Sequence, residues 1–191
     1  MPTPATASSQ IDGYIQGFRG VKADAKHLVD QTDDHVLVQQ PAPGEWSAAQ
    51  CLDHLNIAGW LLLARMERQI NDAQENGPYG EEPFEYGFIS RTFVRLMDPE
   101  SPVSIPAPPS YKPSDDGTLD PHTATKEFVQ LQDDFIHCIE DSKGLDLRRV
   151  RVPSPALPIV SISLGAWYEA TIAHENRHLT QARNAISRIE D

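Results

Sequence analysis

The sequence contains few cysteines, no long apolar run and no signal-like N-terminus. Its two cysteines, Cys51 and Cys138, are far apart and form no C-x-x-C pair. That usage favours a reducing compartment, the cytoplasm, over a disulfide framework. The longest apolar run extends from Ile57 to Ala64, whereas a helix that spans a bilayer needs about 20 apolar residues. The N-terminal stretch MPTPATASSQ has neither the basic start nor the apolar centre of a signal peptide.

Positive charge is also scarce. The chain carries 16 Lys and Arg against 28 Asp and Glu, a net charge of −12. A surface that binds phosphates needs the opposite sign, so this balance argues against nucleic acid and against an anionic membrane as partners. With 39% hydrophobic and 23% charged residues, the 191-residue chain has the composition of one soluble globular domain. We predict that this domain extends over residues 1–191.

Apolar residues at spacings of three and four predict four long helices, and no strand pattern or internal repeat is evident. Ser47 is a natural N-cap for the second helix, Pro121 suits the first position of the third, and Gly144 can end it. The predicted ranges are about 9–31, 47–76, 121–143 and 163–189, with a shorter helix over about 83–97.

Proline marks two connections between these helices. Six prolines lie between Pro99 and Pro113, and a second proline-rich link, VPSPALP, precedes the last helix. Because proline fixes φ and removes a hydrogen-bond donor, we expect extended connectors there. The predicted fold class is therefore all-α, a four-helix bundle with long proline-rich crossover loops.

Two histidines lie on one face of the last predicted helix. His174 and His178 are four residues apart, the spacing at which two imidazoles can share one tetrahedral cation. A line of inward-facing positions includes both of them and contains Trp167, Thr171, His174, His178, Gln181 and Ala185. The alternative interpretation is that one histidine is a hydrogen-bonded core residue and the other is exposed.

A third histidine favours the metal site. His54 lies on the apolar face of the second predicted helix, in line with Cys51, Ala58 and Leu61. A buried imidazole without a partner would cost roughly 1–3 kcal/mol. We therefore predict that His54, His174 and His178 form a three-histidine metal site in the bundle core, as facing helices of bundles often do. The remaining histidines lack this spacing and are predicted to be surface or capping residues: His27, His35, His122 and His137.

The same stretch contains the H-E-x-x-H signature of zinc peptidases. Those enzymes take a third ligand from downstream of the pair. Only 13 residues follow His178, they contain no histidine, and their carboxylates are confined to Glu190 and Asp191. We interpret the match as coincidence.

Two stretches resemble the DinB-like superfamily, which includes the YfiT-like metal-dependent hydrolases. PAPGEWSAAQCLDHLNIAGW is similar to the start of the second helix in that superfamily, where a Trp-Ser pair precedes a histidine. AHENRHLTQARNAI is similar to its last helix, with an H-x-x-x-H-x-x-Q pattern. The matching residues are Trp46, Ser47 and His54 in the first stretch and His174, His178 and Gln181 in the second.

The resemblance implies an up-down-down-up four-helix bundle that binds a divalent cation, zinc or nickel, through the three histidines. Known activities among such relatives include thiol S-transfer and a thiol-dependent isomerisation, so a low-molecular-weight thiol is the implied cosubstrate. The chain departs from the family pattern in the segment from Pro99 to Pro113, which we expect to form either a lid or a homodimer contact.

The residues around the three ligands have open roles at this point. Three neutral imidazoles leave a cation its full charge, which lowers the pKa of a bound water or thiol and generates a nucleophile. Several of the neighbours have two alternative roles, one at the site and one structural. Glu175 is expected to be an outer-sphere or a surface residue, and Gln181 and Asp53 are expected to be outer-sphere partners. Arg65 is expected to be an anion contact or a surface residue, and Cys51 a fourth ligand or a core residue. Trp46 and Trp167 are expected to be core residues.

Two classes of function are consistent with these features. The first is a metal-dependent enzyme that acts on a small molecule, by thiol transfer or by hydrolysis. The second is a non-enzymatic, metal-stabilised bundle that serves as a sensor or interaction module. A metal that faces an accessible pocket favours the enzyme, whereas a fourth protein ligand favours the structural module.

Overall fold

The computed structural model describes residues 9–103, 106–114 and 118–190, and these residues are mainly helical. The four long helices are confirmed within about two residues at each end. The elements are α1 Gln10–Asp30, α2 Asp34–Val38, α3 Ala48–Asn76, α4 Phe88–Met97, a 3₁₀ turn Pro109–Tyr111, α5 Pro121–Asp141, β1 Arg151–Pro153, β2 Ser161–Ser163 and α6 Leu164–Glu190. Among the described residues, no helix is both long and apolar enough to cross a membrane.

Local sequence signals fix where α3 and α5 begin. The Ser47 hydroxyl accepts a hydrogen bond from the Gln50 amide at 3.2 Å, and the Gln50 side chain accepts one from the Ser47 amide at 3.0 Å. This reciprocal capping box satisfies two backbone donors that the helix leaves unpaired. Asp120 is the N-cap of α5, and its side chain accepts from the Thr123 amide at 2.8 Å. The start of α3 at residue 48 places His54 within its first two turns.

Contacts between the helices establish their directions. The pairs are Tyr14–Tyr168 and Asp24–Arg183 between α1 and α6, Asn56–Ala124 and Gln74–Asp141 between α3 and α5, and Phe18–Phe135 and Lys22–Asp133 between α1 and α5. In the first two sets, residue numbers increase along both helices from one contact to the next. In the third set they increase along α1 while they decrease along α5. Helices α1 and α6 therefore run one way and α3 and α5 the other, which confirms the up-down-down-up order.

The links differ from the prediction in two places. The shorter helix begins at Phe88 and not near residue 83, because Phe84 and Tyr86 lie in extended chain and bury alternate side chains in the core. The sequence shows no strand pattern, yet two short strands lie within the mainly helical fold, and β1 and β2 pair antiparallel with Val152 opposite Ile162. Both side chains are buried. Strands of three residues are too short to give a readable alternation.

Gly165, near the start of α6, tests how tightly the bundle packs at the end away from His54. A Cβ there would lie 1.8 Å from the Tyr86 hydroxyl, which is hydrogen-bonded to the Tyr14 hydroxyl at 2.5 Å. We expect Gly165→Ala to destabilise the protein by about 1–3 kcal/mol, the usual cost of overpacking. Gly20→Ala is the matched control, because a Cβ at that helical position meets nothing within 4 Å and should stabilise by up to about 1 kcal/mol. Urea unfolding measures both, and equal effects would contradict the packing argument.

Candidate metal centre

The three predicted histidines converge on one point between α3 and α6. The Nε2 atom of His174 lies 3.5 Å from Nε2 of His54 and 3.1 Å from Nε2 of His178. One ring nitrogen from each residue lies within 4.8 Å of the other two. His174 and His178 are one helical turn apart on the same face of α6, and this face lies against the first turns of α3, where His54 is. The structure thus brings the three predicted residues together.

Hydrogen bonds on the far side of two rings set their orientation. The Nδ1 atom of His54 lies 2.7 Å from the Tyr111 carbonyl oxygen, and Nδ1 of His178 lies 3.0 Å from the Gln181 amide oxygen. Both oxygens can only accept, so we assign the ring proton to Nδ1 in each histidine. Each Nε2 atom then directs a lone pair toward the centre of the cluster. This is the outer-sphere arrangement typical of metal-binding histidines.

The donor set fits a divalent cation. Two nitrogens bound to one tetrahedral cation at about 2.0–2.1 Å lie roughly 3.3 Å apart, and the two Nε2 separations of 3.1 and 3.5 Å bracket that spacing. A hydrogen bond from a protonated His174 Nε2 accounts for only one of these two short separations. A cation accounts for both, because it accepts a lone pair from each of the three nitrogens. Three imidazoles are a donor set that zinc, nickel and iron all accept.

The comparison with known proteins follows from this arrangement of helices and histidines. The sequence matches the DinB superfamily over residues 18–182, most of the chain. The chain belongs to the DinB superfamily. None of the curated proteins matches it significantly.

A solved structure shares the fold of this DinB-superfamily chain. The similar protein is YfiT from Bacillus subtilis, described as a probable metal-dependent hydrolase with an unusual four-helix bundle topology. The two are 16% identical, with a TM-score of 0.63, over 100% of this chain and 93% of YfiT. At this identity the likeness establishes the four-helix bundle. The family match over residues 18–182 confirms the resemblance drawn from the two sequence stretches.

Burial keeps the three histidines of this DinB bundle neutral. It lowers the pKa of His54, a shift that the hydrogen bond to the Tyr111 carbonyl partly opposes. It lowers the pKa of His174 well below its usual range, and the charges of His178, His54 and Arg177 add to the effect. The pKa of His178 falls to about 3 for the same first reason. Neutral imidazole is the form that binds a metal, so these ligands need not lose a proton at neutral pH.

Glu175 lies in the core and not on the surface, so the surface alternative is wrong. Its side chain is 1% exposed, and its Oε1 atom accepts a hydrogen bond from the Gln132 side-chain amide at 3.0 Å. Burial raises its pKa to about 8, although this hydrogen bond opposes the rise. The Oε2 atom of Glu175 and the Oε1 atom of Gln132 are both buried and have no hydrogen-bond partner among the described residues. A protonated carboxyl group satisfies both by donating from Oε2 to the amide oxygen.

The other candidate residues divide between the site and the core. Gln181 contacts His178, as predicted, whereas the Asp53 carboxylate accepts from the Ser114 amide at 2.8 Å. Cys51 is fully buried among apolar side chains, and burial raises the pKa of its thiol to about 12. Among the described residues, the histidine cluster includes no fourth side chain from cysteine or carboxylate. Arg65 is half-buried on α3, and its charge acts on Tyr111.

Trp46 has a larger role than core packing. Its ring centroid lies 4.8 Å from that of His54 and 5.8 Å from that of His178. It therefore covers the side of the cluster that faces the loop before α3. Trp167, by contrast, is a core residue whose ring nitrogen donates to the Val152 carbonyl at 3.0 Å. The Trp-Ser motif was the only sequence signal for this wall. The other four histidines are exposed, as predicted.

The connection between α3 and α5 passes over the site, and two of its attachments involve His54 and Arg177. The Tyr111 carbonyl accepts from His54, as described above. Arg177, between the two histidines of α6, donates to the Leu96 carbonyl at 3.2 Å and to the Val103 carbonyl at 2.8 Å. Sequence reasoning missed both attachments, because carbonyl acceptors leave no signature in the side-chain pattern. The described part of the segment 99–113 thus contacts His54 through Tyr111 and Arg177 through Val103.

A cavity of about 570 Å³ opens beside the cluster. The outer face of the last turns of α6 forms its floor, and the loop before α3 and the described part of the proline-rich segment line its other sides. Trp46 and Gln181, which both contact His178, also border the cavity. The cavity therefore adjoins the histidine cluster through these two side chains.

Proposed function

We propose that this DinB-superfamily protein is a metal-dependent enzyme that acts on a small molecule, with zinc or nickel held by His54, His174 and His178. The observation that carries the proposal is the convergence of three neutral imidazoles without a fourth protein ligand among the described residues. Structural zinc sites usually have four protein ligands, whereas catalytic sites usually have three and an open position. The description of YfiT as a probable metal-dependent hydrolase is consistent with this assignment.

The chain's own residues would prepare the site in three ways. The Tyr111 carbonyl and Gln181 hold the rings of His54 and His178 in the tautomer whose Nε2 faces inward. Trp46 and the proline-rich segment exclude bulk water from one side, and the adjoining cavity has room for a small molecule. When bound, a divalent cation with neutral ligands supplies a low pKa to a coordinated water or thiol.

Among small-molecule reactions we favour the transfer of a low-molecular-weight thiol, with hydrolysis as the next candidate. Thiol transfer is the activity that the resemblance of the two histidine stretches implies. Neither buried cysteine of the chain can act as the nucleophile, because burial raises the pKa of each thiol to about 12. The thiol would therefore have to come from a cosubstrate.

The test is turnover by protein loaded with zinc, nickel, manganese or iron. Glutathione and other small thiols would be offered with an electrophilic acceptor, and ester and amide substrates would test hydrolysis. We expect turnover that requires the metal and is lost in His174→Ala. A protein that binds metal but turns over none of these substrates would favour the non-enzymatic, metal-stabilised module.

Gln181 offers a milder test of the metal site. Gln181→Ala removes the acceptor for His178 Nδ1–H but leaves all three ligands in place. Loss of an outer-sphere partner typically costs 10–100-fold in metal affinity, and we expect a loss of about that size. Competition titration with a zinc chelator measures it, with Thr180→Ala on the neighbouring exposed position as the control. Wild-type affinity in Gln181→Ala would show that this hydrogen bond does not support the ligand.

A further inference from the structure

The cavity beside the histidine cluster carries an excess of positive charge. Its charged residues are Arg177, Arg188 and Glu45. Arg188 and Glu45 form an ion pair, so their charges offset each other. Arg177 contacts two backbone carbonyls and, within the described residues, no carboxylate. One net positive charge in this cavity is notable in a chain whose net charge is −12.

Arg177 is able to bind a ligand while it holds the proline-rich segment. A guanidinium has five N–H donors in a planar fork, and this geometry matches a carboxylate. The Leu96 and Val103 carbonyls take one Nη1 and one Nη2 donor. The remaining three N–H donors have no hydrogen-bond partner within the part of the chain that the structure describes. The floor next to it adds polar side chains from Thr180, Gln181 and Asn184.

The position of Arg177 relates the cavity to the metal centre. It lies between His174 and His178 in sequence, and its charge acts on both rings. A cation held by three neutral imidazoles would add two more positive charges at this end of the cavity. The nearest carboxylate in sequence, Glu175, points instead into the core, toward Gln132. Uncompensated positive charge on this scale attracts anions strongly in a partly desolvated site.

We infer that this cavity binds the carboxylate group of a small anionic molecule, with Arg177 as the residue that recognises its charge. Identification of that molecule as the substrate rests on the proposed function, but the binding itself does not. Trp46 would contact the apolar part of the molecule, and Asn184 would line the floor below it. The carboxylate would then lie beside the histidine cluster, and the rest of the molecule would extend along α6.

The experiment measures binding of glutarate, a small dicarboxylate, by isothermal titration calorimetry. Glutaramide, its uncharged diamide, is the matched ligand control. Both are titrated into metal-free and zinc-loaded protein, so that failure of the metal proposal leaves the cavity result readable. We expect glutarate to bind both forms, more tightly with zinc, and glutaramide to bind neither. Glutarate binding that requires zinc, equal binding of the two ligands, or no glutarate binding at millimolar concentrations would overturn the inference.

Three variants that each lower the net charge by one locate the binding. Arg177→Gln should weaken glutarate binding at least about tenfold, since charge-assisted hydrogen bonds are worth roughly 1.5–3 kcal/mol. Asn184→Asp places a negative charge on the cavity floor and should weaken binding similarly, without touching the attachment of the proline-rich segment. Arg183→Gln breaks only an exposed ion pair with Asp24 outside the cavity and should bind glutarate like the wild type. Equal affinities in all three variants would contradict the assignment. Arg177→Lys keeps the charge but loses the planar fork, and it should bind glutarate more weakly than the wild type and more tightly than Arg177→Gln.

Discussion

Replacing His174 by alanine should lower the zinc affinity of the protein by more than about a hundredfold, beyond the 10–100-fold typical of outer-sphere changes. His174 is the central residue of the cluster, because its Nε2 atom contacts the Nε2 atoms of both other histidines. His54→Ala should have an effect of the same order, although His54 lies on a different helix. Elemental analysis of the purified variants and competition titration with a chelator measure the loss.

His122→Ala is the control for the histidine variants. His122 is exposed in the first turn of α5, and its Nε2 atom lies 2.9 Å from the Asp34 carboxylate. Its removal should leave metal content unchanged. Full zinc occupancy in the His54, His174 and His178 single variants would exclude the proposed site. Zinc should also raise the unfolding temperature of the wild type, since a ligand that binds only the folded state stabilises it by mass action.

Replacing Glu175 by glutamine should stabilise metal-free protein at alkaline pH. The pKa of Glu175 rises from an ordinary 4.5 to about 8 in the folded protein. Between these values the unfolded chain has lost its proton while the folded chain keeps it. The wild type therefore loses free energy of unfolding as pH rises from about 4.5 to 8, by up to about 5 kcal/mol. Glutamine carries no ionisable group and can form both hydrogen bonds with Gln132.

Urea unfolding of chelator-treated protein at pH 5 and pH 8 tests this difference. At pH 5, Glu175→Gln and the wild type should be close in stability, and at pH 8 the variant should be more stable by several kcal/mol. Glu127→Gln, at an exposed position of α5, is the control and should show no such pH dependence. A Glu175→Gln variant that is less stable than the wild type at pH 8 would show that the carboxylate is ionised and stabilised in the fold.

The helices were predictable because their signals are local. Ser47, Asp120 and Pro121 mark helix starts by chemistry that involves only the next turn, and the apolar stripes need only the helical period. The convergence of His54 with the histidine pair of α6 was predictable for a related reason. All three occupy inward positions, where an imidazole without a partner would be energetically costly. The sequence alone therefore indicated that their side chains contact one another or a shared ligand.

The parts that sequence reasoning missed depend on distant main chain. Nothing in the side-chain pattern shows that the Tyr111 carbonyl binds His54 or that Arg177 reaches the Leu96 and Val103 carbonyls. The burial of Glu175 was missed because its hydrogen-bond partner, Gln132, lies on a different helix. Each of these contacts joins residues more than 40 positions apart, and no single helical period relates them.

The parallel course of α3 and α5 has a consequence for how this protein can diversify. A chain that leaves the bottom of α3 and re-enters at the top of α5 must travel the full length of the bundle, so a long connection is obligatory in this topology. The same connection supplies the carbonyl that orients His54 and part of the lining of the cavity. Insertions and replacements in the exposed parts of this connection cost little stability. The lining of the cavity can therefore change along this one connection while the three histidines and the helices that carry them stay as they are.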